Sequence, residues 1–266
     1  MSGDKQSDSE IAYDQVRQRI PDIIEKSPNF GDASYLRVWL KLGKNNASQT
    51  ESLIRDAMKW RKERNTDDAI AEDFHPELAK ELRMYFDGKT RNGFLAVSGN
   101  GGMYKFRNRI AKFGKEAVLH YWLQVIGKAE KLVIECNQRA VKNGVNLTEL
   151  PNIQKSWLIL NMKNLEYEDV LSKSAMSVVI QLVKMAAWYF PGLEGTLCVI
   201  NANKFMEIIL KAVKPLLRGS NIELLVFDTN EQKFKEAIHK YIDPSQLRTP
   251  FGGILDSFDD KPRDRA

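Results

Sequence analysis

The stretch Trp188 to Gly219, WYFPGLEGTLCVINANKFMEIILKAVKPLLRG, constrains this chain more than any other. It reads in three parts. Tyr189-Phe190-Pro191-Gly192 is an aromatic turn, and Thr196 to Asn201 is an apolar run of strand length with β-branched residues. Asn203 to Leu217 predicts a helix in which Phe205, Met206, Ile208, Ile209, Leu210, Ala212, Val213, Leu216 and Leu217 cover far more than one stripe. Lys204, Glu207, Lys211 and Lys214 supply its only charges. A helix apolar on one face lies on a core, and one apolar nearly all round needs cover on both sides. Burying such a set is worth on the order of 10–20 kcal/mol, at roughly 1.5–3 for each large side chain. Pro215 removes the bond to the carbonyl of Lys211 and predicts a kink. On spacing alone the plain reading is a core helix.

At 266 residues the chain has room for one large domain, or a large one with a small helical one. Hydrophobic residues make up 43% and charged ones 28%, a balance that suits a soluble globular protein. No apolar run approaches the roughly twenty residues of a membrane span. The polar, acidic start MSGDKQSDSE carries no secretory pattern. Cys136 and Cys198 are far apart without metal-ligand spacing, as in a reducing compartment. The net charge of +5 is compatible with an anionic membrane surface or nucleic acid and selects neither. The expected location is cytoplasmic.

In chain order, residues 1–10 are expected to be disordered. Ile11 to Lys26 predicts a helix interrupted at Pro21, and Tyr35 to Gly43 a short one ending at glycine. A third helix is predicted from Ser48, with Glu51 closing a capping box, running to Trp60-Arg61-Lys62. The spacing reads as a helical bundle with basic outer faces, a scaffold over 11–75. Pro76 to Phe86 predicts a helix before an Asp87-Gly88 turn, and Phe94 to Ser98 a strand feeding Gly99-Asn100-Gly101-Gly102. Those glycines lack the G-x-G-x-x-G spacing and no GK[ST] follows, so a turn is the reading rather than a nucleotide site. Lys115 to Lys142 is a long helix, Trp157 to Asn161 a buried strand, Glu166 to Tyr189 a helix, Ile222 to Asp228 a strand and Glu231 to Tyr241 a last helix. Strands alternating with long crossovers imply an α/β fold with a mainly parallel sheet.

The search for chemistry is nearly empty. His75, His120 and His239 sit in separate elements, there is no G-x-S-x-G or H-E-x-x-H, and Glu166 and Asp169 read as caps. Basic residues are scattered without aromatic interleaving, which argues against nucleic acid as a partner. No cofactor, no metal and no catalysis are expected.

The order YFPGLEG, TLCVINA, KFMEIILKAVKPLL and KYIDPSQLRTPFGG resembles the lipid-binding half of the CRAL-TRIO family. Its signature there is an aromatic-Pro turn, a strand ending Asn-Ala, a gate helix ending Lys-Pro-x-Leu, and a closing Gly-Gly. The Leu-Arg-x-x-Leu and Trp-Arg patterns resemble that family's N-terminal helical module. The resemblance implies a sheet flanked by helices, with helix 203–217 as an amphiphilic gate over an apolar pocket, across a domain of 76–253 followed by a charged tail, 254–266. A β-sandwich appendage, which some ligand-binding relatives carry after that point, is expected to be either absent or cut away. It implies a gate of Phe205, Met206, Ile209, Leu210, Val213 and Leu217 over a strand floor of Leu158, Leu160 and Val199. In phosphatidylinositol-binding members a Lys at the position of Lys214 meets the lipid phosphate. A Glu meets the inositol where this chain has Gln181, a neutral amide with a weaker bond. Lys211, Lys214 and Arg218 would favour anionic headgroups as the lid opens at a hinge near Gly219. The expected ligand is a hydrophobic lipid (phospholipid, tocopherol- or retinoid-like), carried by a monomer transiently at membranes. The alternative is an adaptor that docks a membrane or small GTPase without transfer. The family's first sheet strand opens Arg-Pro, where this chain has Arg91-Asn92-Gly93, and its next ends in Asp, where Asn161 stands.

Overall fold

A computed structural model describes residues 8–147, 149, 156–193, 195–217 and 222–256. Five strands form one sheet in the order β1 (Met84–Lys89), β2 (Leu95–Gly99), β3 (Ser156–Asn161), β4 (Gly195–Ile200) and β5 (Glu223–Val226). The four strands from β2 onward run parallel, and β1 closes one edge antiparallel to β2. Each parallel step needs a crossover, and the crossovers supply the helices. α7 (Phe106–Phe113) and α8 (Lys115–Lys142) separate β2 from β3. α9 (Tyr167–Leu171) and α10 (Lys173–Tyr189) separate β3 from β4, and α11 (Met206–Val213) separates β4 from β5. α12 (Glu231–His239) follows the sheet. Before it come α1 (Asp8–Arg19), α2 (Pro21–Lys26), α3 (Ala33–Leu42), α4 (Ala47–Glu63), α5 (Thr66–Ala71) and α6 (Pro76–Glu81). Fold class and strand direction agree with the sequence reading.

Several local expectations are corrected. Residues 8–10 are helical rather than disordered, because Glu10 takes both carboxylate oxygens to the Arg37 guanidinium at 2.8 Å; residues 1–7 lie outside the described residues. The cap of α4 is Asn46, which accepts from the Gln49 amide at 2.9 Å, not Ser48 with Glu51. Glu51 instead reaches Arg55 at 2.9 Å. Leu78, Leu82 and Phe86 follow helical spacing, yet α6 stops at Glu81, and Phe86 lies within β1, whose Met84, Tyr85, Gly88 and Lys89 pair with β2. Backbone pairing with a neighbouring strand outweighs a weak local preference. Asp87-Gly88 therefore sits at a register shift inside β1, and the turn falls at Thr90 to Gly93, where Gly93 donates to the Thr90 carbonyl. The segment read as one helix over 166–189 is two: α9 carries a capping box of Glu166 and Asp169, and Ser172 has extended backbone and caps α10 through the Ala175 amide.

The two faces of the sheet are built differently. On one, Ala96, Trp157, Ile159, Cys198 and Ile200 pack against Phe234, Ile238, Ile242, Leu247 and Phe251. The Gly252-Gly253 pair makes this closure possible. Gly252 has φ +88, and a side chain on Gly253 would collide with the Leu247 carbonyl. Helices α8, α10 and α11 lie over the other face.

Most basic residues of the N-terminal helices are exposed, Arg17, Arg19, Lys26, Arg55, Lys59, Lys62 and Arg64 among them, but two are not. Arg37 and Arg61 are both buried. Arg61 reaches Glu130 of α8 at 2.5 Å, and the Tyr35 hydroxyl donates to the same carboxylate oxygen at 2.6 Å. The Arg61 Nε and the same terminal nitrogen donate to the Tyr189 carbonyl at 3.1 and 2.8 Å, while the guanidinium carbon lies 4.2 Å from the Phe190 ring centroid. Trp60 stacks on Tyr189 at 4.2 Å. Burial works against the Arg61 charge, but Glu130 outweighs it and holds the guanidinium pKa above its ordinary value. Burial, then the Glu130 charge, pushes the Tyr35 hydroxyl up. Truncating one partner of such a pair strands the other charge. Arg61→Ala should therefore lower the unfolding free energy by about 3–5 kcal/mol in urea titration, whereas Arg61→Met paired with Glu130→Leu should lose far less.

Candidate functional site

The site grows out of the middle strand. β3 has a neighbour on each side, so its side chains should be sealed on any face that helices cover. Toward α12 they are: Trp157 is 2% exposed and Ile159 0%. Toward α8, α10 and α11, Leu158 and Leu160 are only half-buried. β4 repeats the contrast, with Cys198 at 0% and its neighbour Leu197 half-buried. Val199 on that face is closed, as are Leu95 and Val97 of β2. A central-strand leucine beneath a helical layer stays accessible only where the layer stands off from the sheet. Well-packed interiors leave no such gap.

The element standing over Leu160 and Leu197 is α11 with the single 3-10 turn Lys214–Leu217 after it. The α-helix ends where Pro215 cannot donate, and the chain tightens rather than continuing. Phe205, Met206, Ile209 and Leu210 meet Leu160, Val199, Leu197, Leu224, Met176 and Val170 in one apolar cluster. Leu158 belongs to the adjoining one, with Leu95, Val97, Val133 and Cys136. Outward, Lys204, Glu207, Ile208, Lys211, Lys214 and Pro215 are exposed. Of the apolar set named from the sequence, only Met206 and Val213 are buried; Phe205, Ile209, Leu210, Ala212, Leu216 and Leu217 are half-buried. A fully covered core helix is thus corrected to a surface helix with one wet side. Arg218 and Gly219 lie outside the described residues.

Gln181 is placed elsewhere. Its amide donates to the Ser177 carbonyl and hydroxyl at 3.3 and 3.2 Å. It lines a cleft of about 940 Å³ with Trp60, Phe74, His120, Tyr121 and Lys184, between the N-terminal helices, α8 and α10. Among the described residues, none of 205–217 lines that cleft. Met176, which packs beneath α11, is five residues away and so about 140° round the helix. The structure therefore brings Phe205, Met206, Ile209 and Leu210 together with Leu160 and Val199, places Leu158 in the adjoining cluster, and leaves Gln181 apart from both. Leu197, Leu224 and Met176, which the sequence reading does not name, belong to the same apolar cluster. The period of two running back from Val199 points to Leu197; Met176 and Leu224 needed the tertiary arrangement.

Nucleophilic or metal chemistry finds little support. Burial pushes the Cys198 thiol up to about 12. Among the described residues no group of three or more His, Cys, Asp or Glu is placed to hold a metal. His120 pairs with Glu72 at 2.8 Å on the surface, and the His239 ring meets the Gly252 carbonyl. No helix among them is long and apolar enough to cross a membrane.

The rim is tied by amides. Asn201, in left-handed backbone at the end of β4, donates to the Asn161 side-chain oxygen at 3.0 Å. That oxygen also accepts from the Lys163 amide, while the Asn161 nitrogen donates to the Pro250 carbonyl at 3.0 Å. A carboxylate could accept the first two bonds but not donate the third. This is what Asn161 gains over the Asp of the resembled pattern. Asn161→Asp should cost about 1–3 kcal/mol at neutral pH, read as a lowered melting temperature, because it sets a charge against the Pro250 carbonyl and leaves that acceptor without its donor.

A mostly parallel sheet, flanked by helices and half-open beneath one of them, defines a class of α/β module. The chain belongs to the CRAL/TRIO domain family, whose model matches residues 110–253. Two curated relatives from Arabidopsis thaliana are each 24% identical to it. They are phosphatidylinositol/phosphatidylcholine transfer protein SFH4, over 85% of this chain, and SFH13, over 88%. The chain spans 36% of the length of each. The crystal structure of Sfh5 shares the fold with a TM-score of 0.66 at 14% identity, covering 96% of this chain and 89% of that one.

Proposed function

We propose that this chain binds a hydrophobic lipid between the sheet and residues 205–217 and carries or presents it between membranes. The observation that carries the reading is the half-open central strand: Leu158 and Leu160 lie under helices without being sealed by them. An acyl chain is what such a gap fits, since each methylene removed from water is worth about 0.8 kcal/mol. The names of the Arabidopsis thaliana relatives, which transfer phosphatidylinositol and phosphatidylcholine, support the same class of ligand. In this reading α11 is the gate, and Lys214, exposed at the start of the 3-10 turn, contacts the lipid phosphate. To reach an inositol hydroxyl, Gln181 must give up its present bonds to Ser177. The protein supplies binding and no catalysis.

Native mass spectrometry followed by organic extraction tests the reading. One lipid per chain is the expected result. A bare chain that also takes nothing from mixed-lipid vesicles would overturn it and leave an adaptor. Leu160→Trp should abolish lipid uptake while leaving the melting temperature nearly unchanged, because the indole fills existing space. A packed interior would instead lose about 1–3 kcal/mol from the overfilling. Lys214→Ala should weaken a phospholipid about tenfold or more, the loss of a charge-assisted bond, without weakening an uncharged lipid.

A further inference from the structure

We propose that the cleft between the N-terminal helices, α8 and α10 binds a dipolar amphiphile: a small molecule with an ammonium at one end, an acid at the other and an apolar body between. The cleft holds about 940 Å³ and lies where the N-terminal helices meet the sheet domain, a size and a place usual for small-molecule sites. Among the described residues none of 205–217 lines it, so the inference does not rest on the lipid reading. Its floor is apolar, with Leu123 and Met185 buried and Leu119 half-buried. α8 and α10 run side by side in one direction, since Lys115 meets Ser177 and Leu123 clusters with Met185. Position along α8 therefore gives position along the cleft.

The charges are sorted along that axis. Glu116, Glu72 and Asp73 line the end at the start of α8, where Glu72 meets His120 at 2.8 Å. Arg64 and Lys184 line the other end. The Arg64 guanidinium carbon lies 4.4 Å from the Trp60 ring centroid, and Trp60 stacks on Tyr189, the last residue of α10. The Lys184 ammonium leans the same way, 5.3 Å from the Trp188 ring. The two ends are about 10 Å apart, the rise of α8 from Glu116 to Leu123. Opposite charges in one cleft usually meet, yet among the described residues Arg64, Lys184, Asp73 and Glu116 form no ion pair, and both cations lie on indole rings instead. The acidic wall is also built in advance. Gln124, 1% exposed, donates to the carbonyls of Ala69 at 3.0 Å, Glu72 at 3.3 Å and Asp73 at 3.4 Å, and the Lys128 ammonium lies 3.7 Å from the Phe74 ring. A guest with one charge answers one end. A guest with both answers the two together, while its body takes the apolar floor out of water.

The probe is ω-aminooctanoate, whose extended chain spans the distance between the two ends, and the controls are octanoate and octylamine. Methionine-methyl NMR of the full chain reads the site, because Met185 lines the cleft while Met176 and Met206 lie in the cluster under α11. ω-Aminooctanoate should shift the Met185 methyl and leave Met176 and Met206 in place, at about one fifth of the concentration that either control needs. Arg64→Gln with Lys184→Gln should remove its advantage over octylamine, and Asp73→Asn with Glu116→Gln its advantage over octanoate, each about fivefold and with the circular dichroism spectrum unchanged. Equal binding of the three compounds, variants without effect, or a Met185 methyl that none of them moves at about 10 mM overturns the site. Shifts at Met176 and Met206 in place of Met185 also overturn it and put the compound in the gap under α11.

Discussion

The buried contact between Arg61 and Glu130 is where the N-terminal helices and the sheet domain become one body. Two charges removed from water are costly unless their remaining hydrogen-bonding capacity is used. Here Tyr35 takes the Glu130 oxygen and the Tyr189 carbonyl takes two Arg61 donors. Because Tyr189 is the last residue of α10, the pair fixes where that helix ends and where the aromatic turn begins. Gly192, with φ +95, then lets the chain swing back into the sheet as β4. The wall of the half-open region is thus set by side chains that never touch it.

A binding cavity works against the close packing that folds a chain. In the proposed reading this fold separates the two demands by face. On one side of the sheet, Trp157, Ile159, Cys198 and Ile200 are sealed by α12 and the turns after it. On the other, the same strands present leucines to a looser layer. Period-two alternation makes this possible, since neighbouring residues of one strand belong to different environments.

How much of this was legible depends on how local the cause was. The bounds of α8, Lys115–Lys142, follow from its own long pattern, and the sequence reading matches them. The β3 and β4 runs are short, apolar and bounded by turn residues, and they too were readable. β1 was not, because Leu78, Leu82 and Phe86 repeat at helical spacing and only the presence of β2 turns the last of them into a strand. Arg61 looked like a surface charge because its partner lies 69 residues away. The position of α11 followed from the sequence, but its wet face did not. A hydrophobic pattern shows what a helix can bury, not how much cover the fold supplies. The place of Gln181 could not be read from its distance to Pro191, since that spacing does not fix which side of α10 faces the sheet.

The length of α11 has a consequence of its own. Eight residues are just over two turns, well below the dozen or so that an isolated helix needs in water. Its helical form is therefore conditional on an apolar surface to lie against. Lifted into water, the segment would lose its contacts and its helicity together, so the resting position over the sheet needs no latch. A second apolar surface brought alongside changes that balance, because the segment can exchange one support for another without unwinding between them.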